Sequence, residues 1–344
     1  MKKMIVFLIT LFWVACSSNP TEPEAVILEA RSLAISSSNQ LFVTTQEGLC
    51  QSLDDGETWK SINRDFTRLV AVSPSGTIYC LKTESIYSPG LFDHHNEWLY
   101  RSTDNGKTFH LTGWAKSDIF FGMSWLTFNK QEHLFAHQRF KGLFRSTSQG
   151  EHWEELSGGS VSWGSVSFSS NSLIAPDKIF RSAGDGVYRS DDDGDNWIKV
   201  LELQDISGDT SYSYGALTFN SQGRIFAGIN AQHFLGDSVE TGMIYQSDDN
   251  GNNWIKTAAL NSDIAHLAVN SEDKIFALTD INEVYCSIDN GIQWNKVSVI
   301  SIEGWGVLQF IISSNNKLFI RTSDPKLYRS QNEGVTWEQI QPHL

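Results

Sequence analysis

SDDDGDNW, residues 190–197, gathers four aspartates around one glycine and ends in a tryptophan. Alone, it could be a metal loop, a carboxylate cluster or a turn. It decides the fold because the chain repeats it, as SLDDGETW from Ser52, STDNGKTF from Ser102, STSQGEHW from Ser146, SDDNGNNW from Ser247, SIDNGIQW from Ser287 and SQNEGVTW from Ser330. Successive serines are 40 to 57 residues apart. Self-similarity at such a period predicts a repeat architecture.

Each residue type in the repeat suits a tight turn. Serine and aspartate oxygens accept backbone N–H groups that a hairpin leaves unpaired, and glycine adopts backbone angles that a side chain would oppose. The closing aromatic begins the next strand and carries apolar area inward. Ser148 and Asn332 replace the aspartate in two copies and can still accept a hydrogen bond. We therefore expect structural roles for Asp54, Asp104, Asp192, Asp249 and Asp289, with calcium as an alternative only at residues 191–195.

A second frame precedes the turns, as in ISSSNQLFVTT (35–45) and VNSEDKIFALT (269–279): an apolar residue, a polar turn, then an apolar-aromatic pair. This frame predicts a hairpin, and a strand such as LYRS (99–102) leads into each repeated turn. Four antiparallel strands per repeat, seven times, predict an all-β, seven-bladed β-propeller. The expected blades are 31–63, 67–113, 120–158, 164–201, 214–257, 263–298 and 305–340. AVILEA (25–30) is left over, and we expect it to extend the outer edge of the last blade.

The repeat resembles the Asp-box, or BNR repeat, Ser-x-Asp-x-Gly-x-Thr-Trp. Sialidases, xyloglucan-cleaving glycoside hydrolases, sortilin-type receptors and photosystem II assembly factors carry it in β-propellers, so the resemblance implies that fold. Sialidase chemistry would need an Arg-Ile-Pro, which the sequence lacks. The xyloglucanase type places its carboxylates between two propellers, whereas this chain provides one, and no facing carboxylate pair stands out. One repeated strand position, which indicates scaffold, holds Arg101, Arg145, Arg189 and Arg329.

MKKMIVFLITLFWVAC, residues 1–16, has two lysines and an apolar run too short to span a bilayer. Its end resembles a bacterial lipobox, so we expect a lipoprotein signal peptide at 1–15, a lipidated Cys16 with a flexible tether at 16–25, and the propeller at 26–344. An ordinary signal peptide is the alternative. The expected location is a bacterial envelope membrane, with the outer membrane or cell surface favoured.

Charge and cysteine content limit the partners and the chemistry. The formal net charge is −14, which argues against the basic surface that nucleic-acid binding requires. Besides Cys16 the chain has Cys50, Cys80 and Cys286. An odd number in an exported protein cannot all pair internally, so we expect buried free thiols, with a Cys50–Cys80 bridge as the alternative.

Candidate ligand-binding residues lie where blades begin and in long connections. Loops on a rigid scaffold often carry binding sites, and the longest are expected at 83–98, 201–215 and 230–242. Exposed aromatics at a channel mouth suit sugar rings or peptides. The candidates are Trp114, Phe121, Trp163, Tyr214 and Trp305, with Asp118, Asp209 and Glu303 nearby. His94 and His95 are expected in a solvated loop and His133 and His137 at the surface or rim, and the sequence indicates no cofactor or metal.

These features together predict a non-enzymatic envelope lipoprotein. It is attached to its membrane by the N-terminal lipid and binds a protein or glycan partner on the propeller face opposite the repeated turns. The alternative is an extracytoplasmic glycoside hydrolase or carbohydrate-binding protein.

Overall fold

The computed structural model describes residues 28–86, 94–119, 122–138, 141–156, 178–183, 186–202, 210–213, 216–233, 242–260, 262–302, 304 and 306–342. All regular structure within these ranges is β-strand. None of the described segments is a helix that could cross a membrane.

The strands form seven antiparallel sheets, which are the blades of a β-propeller. The first three blades comprise β1 (Ser32–Ile35), β2 (Leu41–Thr45), β3 (Gly48–Ser52), β4 (Lys60–Asn63); β5 (Leu69–Val72), β6 (Ile78–Ile86), β7 (His94–Ser102), β8 (His110–Ile119); β9 (Met123–Phe128), β10 (Leu134–Gln138), β11 (Gly142–Ser146) and β12 (Glu154–Glu155). Blade four shows three strands in its described residues: β13 (Ile179–Ala183), β14 (Gly186–Ser190) and β15 (Ile198–Glu202).

The last three blades complete the ring. They comprise β16 (Thr210–Ser213), β17 (Leu217–Phe219), β18 (Ile225–His233), β19 (Met243–Ser247), β20 (Ile255–Ala259); β21 (Ile264–Val269), β22 (Ile275–Thr279), β23 (Glu283–Ser287), β24 (Asn295–Val299); β25 (Val307–Ile312), β26 (Leu318–Thr322), β27 (Leu327–Ser330) and β28 (Glu338–Gln339). Sheet neighbours follow chain order in most blades, as in β1-β2-β3-β4. The seven-bladed prediction is thus confirmed, with the repeated turn between the third and fourth strands.

The aromatic residue of the repeated hairpin holds adjacent blades together. It is the second residue of each second strand and is at most 2% exposed in every blade, as Phe42, Tyr79, Phe135, Phe180, Phe226, Phe276 and Phe319. The buried residues fall into seven clusters, each shared by two neighbouring blades. Burying one such ring stabilises the fold by roughly 1.5–3 kcal/mol, so the apolar-aromatic pair specifies the blade interfaces.

The ring closes between the last and first blades through a shared apolar cluster that includes Leu33 and Phe319. Residues 28–30 cross this junction without forming a strand, and residues 25–27 of the segment expected at the outer edge of the last blade lie outside the described residues. The Leu28 N–H donates to the Pro342 carbonyl (2.9 Å) and the Ala30 N–H to the Pro325 carbonyl (2.9 Å). Both carbonyls belong to the last blade, so residues 28–30 join it to the first blade.

The three cysteines within the described ranges are free thiols, as expected. Cys50 and Cys80 are buried, whereas Cys286 is partly exposed, so its expected full burial is wrong. Burial raises the pKa of Cys50 and of Cys286 to about 11 and raises that of Cys80 well above its usual range. All three are therefore poor nucleophiles at neutral pH.

Candidate functional site

The propeller has two different faces. The face called here the turn face carries the first hairpin turn of each blade in which that turn is described, which is every blade but the fourth. It also carries the seven serine turns, defined as the eight-residue repeats that begin at Ser52, Ser102, Ser146, Ser190, Ser247, Ser287 and Ser330. The opposite loop face carries the connections from second to third strands and from blade to blade. The polar groups of the turn face serve the fold, so a binding site is expected on the loop face.

Hydrogen bonds within the serine turns match those expected from the residue types. In the first turn the Ser52 hydroxyl accepts the Gly56 N–H (2.8 Å), and the Asp54 carboxylate accepts the Thr58 N–H (2.9 Å). The Ser52 hydroxyl also donates to Asp54 (2.7 Å). Where the aspartate is replaced, Ser148 accepts the His152 N–H (2.9 Å) and Asn332 accepts the Thr336 N–H (2.9 Å). Both exceptions therefore keep the turn.

The carboxylates of the aspartates in these turns accept hydrogen bonds from neutral donors of the same turn. The Asn253 side chain, and then its N–H, hold the pKa of Asp249 down at about 2. The residue before each glycine also has positive φ, between 54° and 62°, which the sequence did not reveal because its identity varies: Asp55, Asn105, Gln149, Asp193, Asn250, Asn290 and Glu333.

The repeated arginines tie each blade to the next, which confirms the scaffold role expected for them. Each donates to the carbonyl of the fourth residue of the following serine turn. The bonds are Arg101 to Gln149 (3.0 Å), Arg145 to Asp193 (2.7 Å), Arg189 to Asn250 (2.6 Å) and Arg329 to Asp55 (2.8 Å). Each also pairs with a carboxylate, for example Arg145 with Glu154 (2.8 Å). These arginines therefore have a structural role in holding the ring together.

Four aspartates at 191–195 do not converge on one point. Asp191 pairs with Lys178 (2.7 Å) and Asp193 lies 2.7 Å from His133. Asp192 completes its turn with the Asn196 N–H (2.8 Å), and Asp195 lies 3.0 Å from Arg145. Within the described ranges no three His, Cys, Asp or Glu side chains group as metal ligands. Asp192 therefore serves the turn, and the other three carboxylates each contact a basic residue outside it.

A central cavity of about 1150 Å³ runs between the inner strands. Its described wall comes from blades one, two, three, five, six and seven. Asp273 is the single carboxylate in that wall, and it already accepts the N–H (2.8 Å) and hydroxyl (2.6 Å) of Ser221. The cations of the wall are Arg31, Arg68, Lys130 and Arg321. The cavity is thus locally basic in a chain of net charge −14.

The three arginines of the wall and one histidine lie where the cavity approaches the loop face. Arg31 and Arg68 stand immediately before inner strands β1 and β5, and the Arg31 guanidinium donates to the Thr67 carbonyl (3.3 Å). Arg321, near the loop-face end of β26, donates to the Gln309 side chain (2.8 Å), and His266 Nε2 lies 3.1 Å from the Val307 carbonyl. We call Arg31, Arg68, Arg321 and His266 the basic arc.

Strand register explains how the arc is placed. In blades three, six and seven the inner strand shifts register after its first residue, so Trp125 pairs with His137, His266 with Leu278 and Gln309 with Arg321. These are equivalent positions, and all three inner-strand residues line the cavity at one level. The Gln309 amide also bridges to blade one, accepting the Leu33 N–H (3.0 Å) and donating to its carbonyl (3.2 Å).

A buried carboxyl group lies behind the arc, between blades two and three. Glu97 is fully buried and accepts the Trp114 indole N–H (2.8 Å) and the Met123 N–H (3.0 Å). Arg68 Nη1 lies 3.9 Å from its other oxygen and His95 Nε2 lies 3.7 Å away. A Cβ added at Gly122 would come within 1.9 Å of Glu97 Oε2. The carboxyl group therefore fills its space and faces the Arg68 guanidinium group, whose Nη1 also lies 3.0 Å from His95 Nε2.

Trp114, a predicted ligand-binding residue, is completely buried. Its ring meets Phe144 and Trp153 edge-on, at centroid distances of 5.2 and 5.0 Å. It therefore lies in the core between blades two and three, where it offers no surface to a ligand. The sequence could not reveal this, because the indole's partners come from another strand and the next blade.

Three of the four histidines differ from the positions expected for them, whereas His133 is partly exposed as expected. His94 and His95 begin strand β7, so the expected solvated loop is wrong there. Burial, then the neighbouring Arg68, lowers the pKa of His95. His133 precedes β10 and contacts Asp193, whereas His137 is buried and stacks on Trp125 at 5.6 Å, so the two do not share an exposed strand face. Burial lowers the pKa of His137 as well.

Two β-structured walls rise on the loop face, in part of what the sequence predicted as loops. In blade two, β6 and β7 stay paired as far as Ile86 and His94, and β8 reaches Ile119 beside His95. In blade five, β16 pairs with the far end of β18, with Thr210 opposite His233. Blades two and five are three places apart in a ring of seven, so the walls stand on opposite sides of the cavity.

Of the remaining predicted ligand-binding residues, Asp118 is the one that lies within the described ranges. Asp118 belongs to strand β8, which forms part of the blade-two wall. Outside the described residues lie Phe121, Trp163, Tyr214, Trp305, Asp209 and Glu303. Arg31, Arg68 and Arg321 were not among the residues predicted from the sequence to bind a ligand. A usable signal was available for the first two, since each directly precedes the first apolar residues of a blade, in RSLAI (31–35) and RLVAV (68–72).

Comparisons with known proteins identify the architecture. No family model and no curated protein matches the chain. The GH74 xyloglucanase from Xanthomonas campestris superposes with a TM-score of 0.65 at 15% identity, over 92% of this chain and 55% of its own. An ancestral GH74 enzyme gives 0.59 at 16%, over 92% and 48%. YCF48 bound to a D1 peptide gives 0.57 at 14%, over 86% and 92%.

The chain spans about half the length of these two GH74 enzymes and most of YCF48. At identities this low the comparisons show the propeller fold alone, because one fold hosts many functions. Function has to be argued from the residues of the site.

Proposed function

We propose that this chain is a non-enzymatic propeller of the Asp-box type, exported and held at a bacterial envelope membrane through a lipidated Cys16, which binds a protein or glycan partner on its loop face. The observation that carries the proposal is the composition of the cavity wall. Its described part offers guanidinium, amide and hydroxyl groups, with the single carboxylate Asp273. Such a wall is equipped to hold a polar ligand.

The same wall argues against hydrolysis. Cleavage of a glycosidic bond uses two carboxyl groups that face one another across the bond. Asp273 is bound to Ser221 by both oxygens, and Glu97 is fully buried behind Arg68. Neither has a described partner carboxylate across the cavity, so binding is the better supported role, and glycoside cleavage is the alternative that the experiment must test.

Scaffold rigidity supports a binding role on this face. Seven apolar interfaces and the arginine bonds between blades hold the ring, while the walls of blades two and five flank the cavity. Groups held in place before binding lose little conformational freedom when a ligand arrives. The loop face can therefore present its polar groups in fixed positions.

The soluble body, residues 17–344, tests the proposal on a panel of glycans and polysaccharides and against a detergent extract of envelope proteins. Retention and released sugar are both recorded. We expect retention of a glycan or of a discrete envelope protein without sugar release. Catalytic release of sugar would contradict the non-enzymatic role, and retention of nothing in either arm would contradict the binding role.

Aromatic residues of the predicted rim provide a second test. Replacing Trp163 and Trp305 together by alanine is expected to weaken retention at least tenfold, since stacking on an aromatic face contributes substantially to sugar binding. Thermal melting of the variant serves as the control for folding. Unchanged retention by the folded variant would remove these two residues from the site.

A further inference from the structure

We propose that the basic arc binds the carboxylates of an acidic saccharide, a chain of uronic acid units, in the central cavity. This inference rests on the proposed function and names the class of ligand that the loop face would bind. Planar guanidinium groups match carboxylates with two parallel hydrogen bonds. Three of them with a histidine line one end of a single cavity.

The arc spans four successive blades. His266 belongs to blade six, Arg321 to blade seven, Arg31 to blade one and Arg68 to blade two. Contacts link its members across the blade boundaries: His266 reaches the Val307 carbonyl of blade seven, Gln309 joins blade seven to Leu33, and Arg31 reaches Thr67 beside Arg68. Burial lowers the pKa of His266, and Arg321 lowers it further, so this residue contributes a neutral imidazole at pH 7. The positive charge of the arc therefore comes from the three guanidinium groups, which follow one another along the wall in blades seven, one and two.

The arginines of the basic arc have fewer neighbouring carboxylates than the repeated arginines of the turn face. Each repeated arginine of the turn face pairs with a carboxylate, at 3.0 Å for Arg101 and 2.8 Å for Arg145 and Arg189. Arg31 and Arg321 have no described carboxylate within ion-pair distance, and Arg68 is 3.9 Å from Glu97. Two guanidinium groups of the arc thus remain available to an incoming anion.

Arg321 is the most informative member. Burial lowers its pKa to about 10, the Gln309 amide being its hydrogen-bond partner. A desolvated cation without a neighbouring anion destabilises the fold. A carboxylate placed beside it would supply the missing charge, so burial makes the contact strong without making the residue necessary for folding.

Wall chemistry and cavity shape favour a saccharide over a folded protein surface. A volume of about 1150 Å³ enclosed by inner strands admits a narrow chain. Hydroxyl and amide groups line it beside the arginines, among them Ser32, Ser124 and Gln309. A uronate chain carries one carboxylate per unit together with hydroxyls, which is the combination of groups that this wall complements.

The test is a calorimetric titration of the soluble body, residues 17–344, with hexagalacturonate and with neutral hexagalactose. We expect hexagalacturonate to bind at least tenfold more tightly, with an affinity that falls as salt rises from 50 to 500 mM because charge attraction is screened. Each lost contact to a carboxylate is expected to weaken binding roughly ten- to hundredfold. That loss should appear in Arg321→Gln and in Arg31→Gln.

Arg64→Gln is the matched control, because Arg64 is exposed on the connection between blades one and two and does not line the cavity. It should bind hexagalacturonate as the wild type does. Arg321→Gln should melt at or above the wild-type temperature, since it removes a desolvated charge. Weaker binding with undiminished stability is a result that a purely structural arginine would not produce.

Equal affinity for the acidic and neutral hexamers, or wild-type affinity in both Arg321→Gln and Arg31→Gln, would overturn the uronate inference while leaving a binding function intact. Absence of heat with either hexamer would also overturn it, and the envelope-protein arm would then decide the proposed function. Depolymerisation of hexagalacturonate during the titration would overturn the non-enzymatic function itself.

Discussion

Replacing Trp114 by phenylalanine separates a core role from a ligand-binding role for this residue. The indole N–H donates to the fully buried Glu97 carboxyl group at 2.8 Å, and the ring packs edge-on against Phe144 and Trp153. Phenylalanine keeps part of the packing and removes the donor. The variant should therefore lose stability and keep its ligand affinity.

The magnitude follows from the two losses. A buried acceptor deprived of its partner costs about 1–3 kcal/mol, and the space vacated by the smaller ring costs roughly 1–2 kcal/mol. With an unfolding entropy of about 2.1 cal/mol/K per residue, a folded body of roughly 300 residues melts about 1.5 °C lower per kcal/mol. The variant should therefore melt roughly 3–8 °C below the wild type, as measured by scanning calorimetry.

Trp254→Phe is the matched control. Its indole N–H donates to the Gly251 carbonyl at 3.0 Å within its own serine turn, and the residue is partly exposed. Its loss should be about 1 kcal/mol. A double-mutant cycle of Trp114→Phe with Glu97→Leu should give a coupling of about 1–3 kcal/mol. Trp114→Phe melting within 1 °C of the wild type, with weaker ligand retention, would refute the core role.

Three further predictions concern acid stability and the thiols. Burial lowers the folded pKa of His95, His137 and His266 below the unfolded value, so the melting temperature should begin to fall as pH drops below about 6.5. The folded pKa of carboxylates such as Asp249 also lies below the unfolded value, so a further decline should follow below about pH 4 as these groups take up protons; a melting temperature that stays constant from pH 7 to 3 would contradict both. Asp249→Asn should fold, as the natural Asn332 turn does, and show a shallower acid decline; loss of the fold would contradict the exchange. At pH 8 without denaturant Cys50, Cys80 and Cys286 should react with a thiol reagent far more slowly than in urea; rapid stoichiometric labelling of the native body would show that burial does not control them.

The fold could be predicted because its determinants are local and repeated. The serine turn satisfies its own hydrogen bonds within eight residues, and the hairpin aromatic recurs at each blade interface. Blade limits followed directly, as with expected 263–298 and observed Ile264 to Val299. Residues 28–30 contact the last blade without forming a strand, because their acceptors, the Pro325 and Pro342 carbonyls, come from two separate segments that the local sequence pattern does not indicate.

The candidate site was less predictable because its contacts join different blades. Trp114 has the same aromatic character at a rim or in a core, and only its partner Glu97, seventeen residues away on a neighbouring strand, decides between them. The basic arc draws its residues from four blades. Arg321 lies within a repeated strand, as many scaffold residues do. Its burial away from any described carboxylate becomes visible only when its neighbours in space are known.

The measurement that tests the account most directly is amide hydrogen exchange of the soluble body with and without saturating hexagalacturonate. It reports where on the propeller the ligand acts. The account predicts added protection in peptides that contain Arg31, Arg68, His266 and Arg321, at the loop-face ends of blades six, seven, one and two. Protection confined to the serine turns, or no change at the basic arc under saturating ligand, would contradict it.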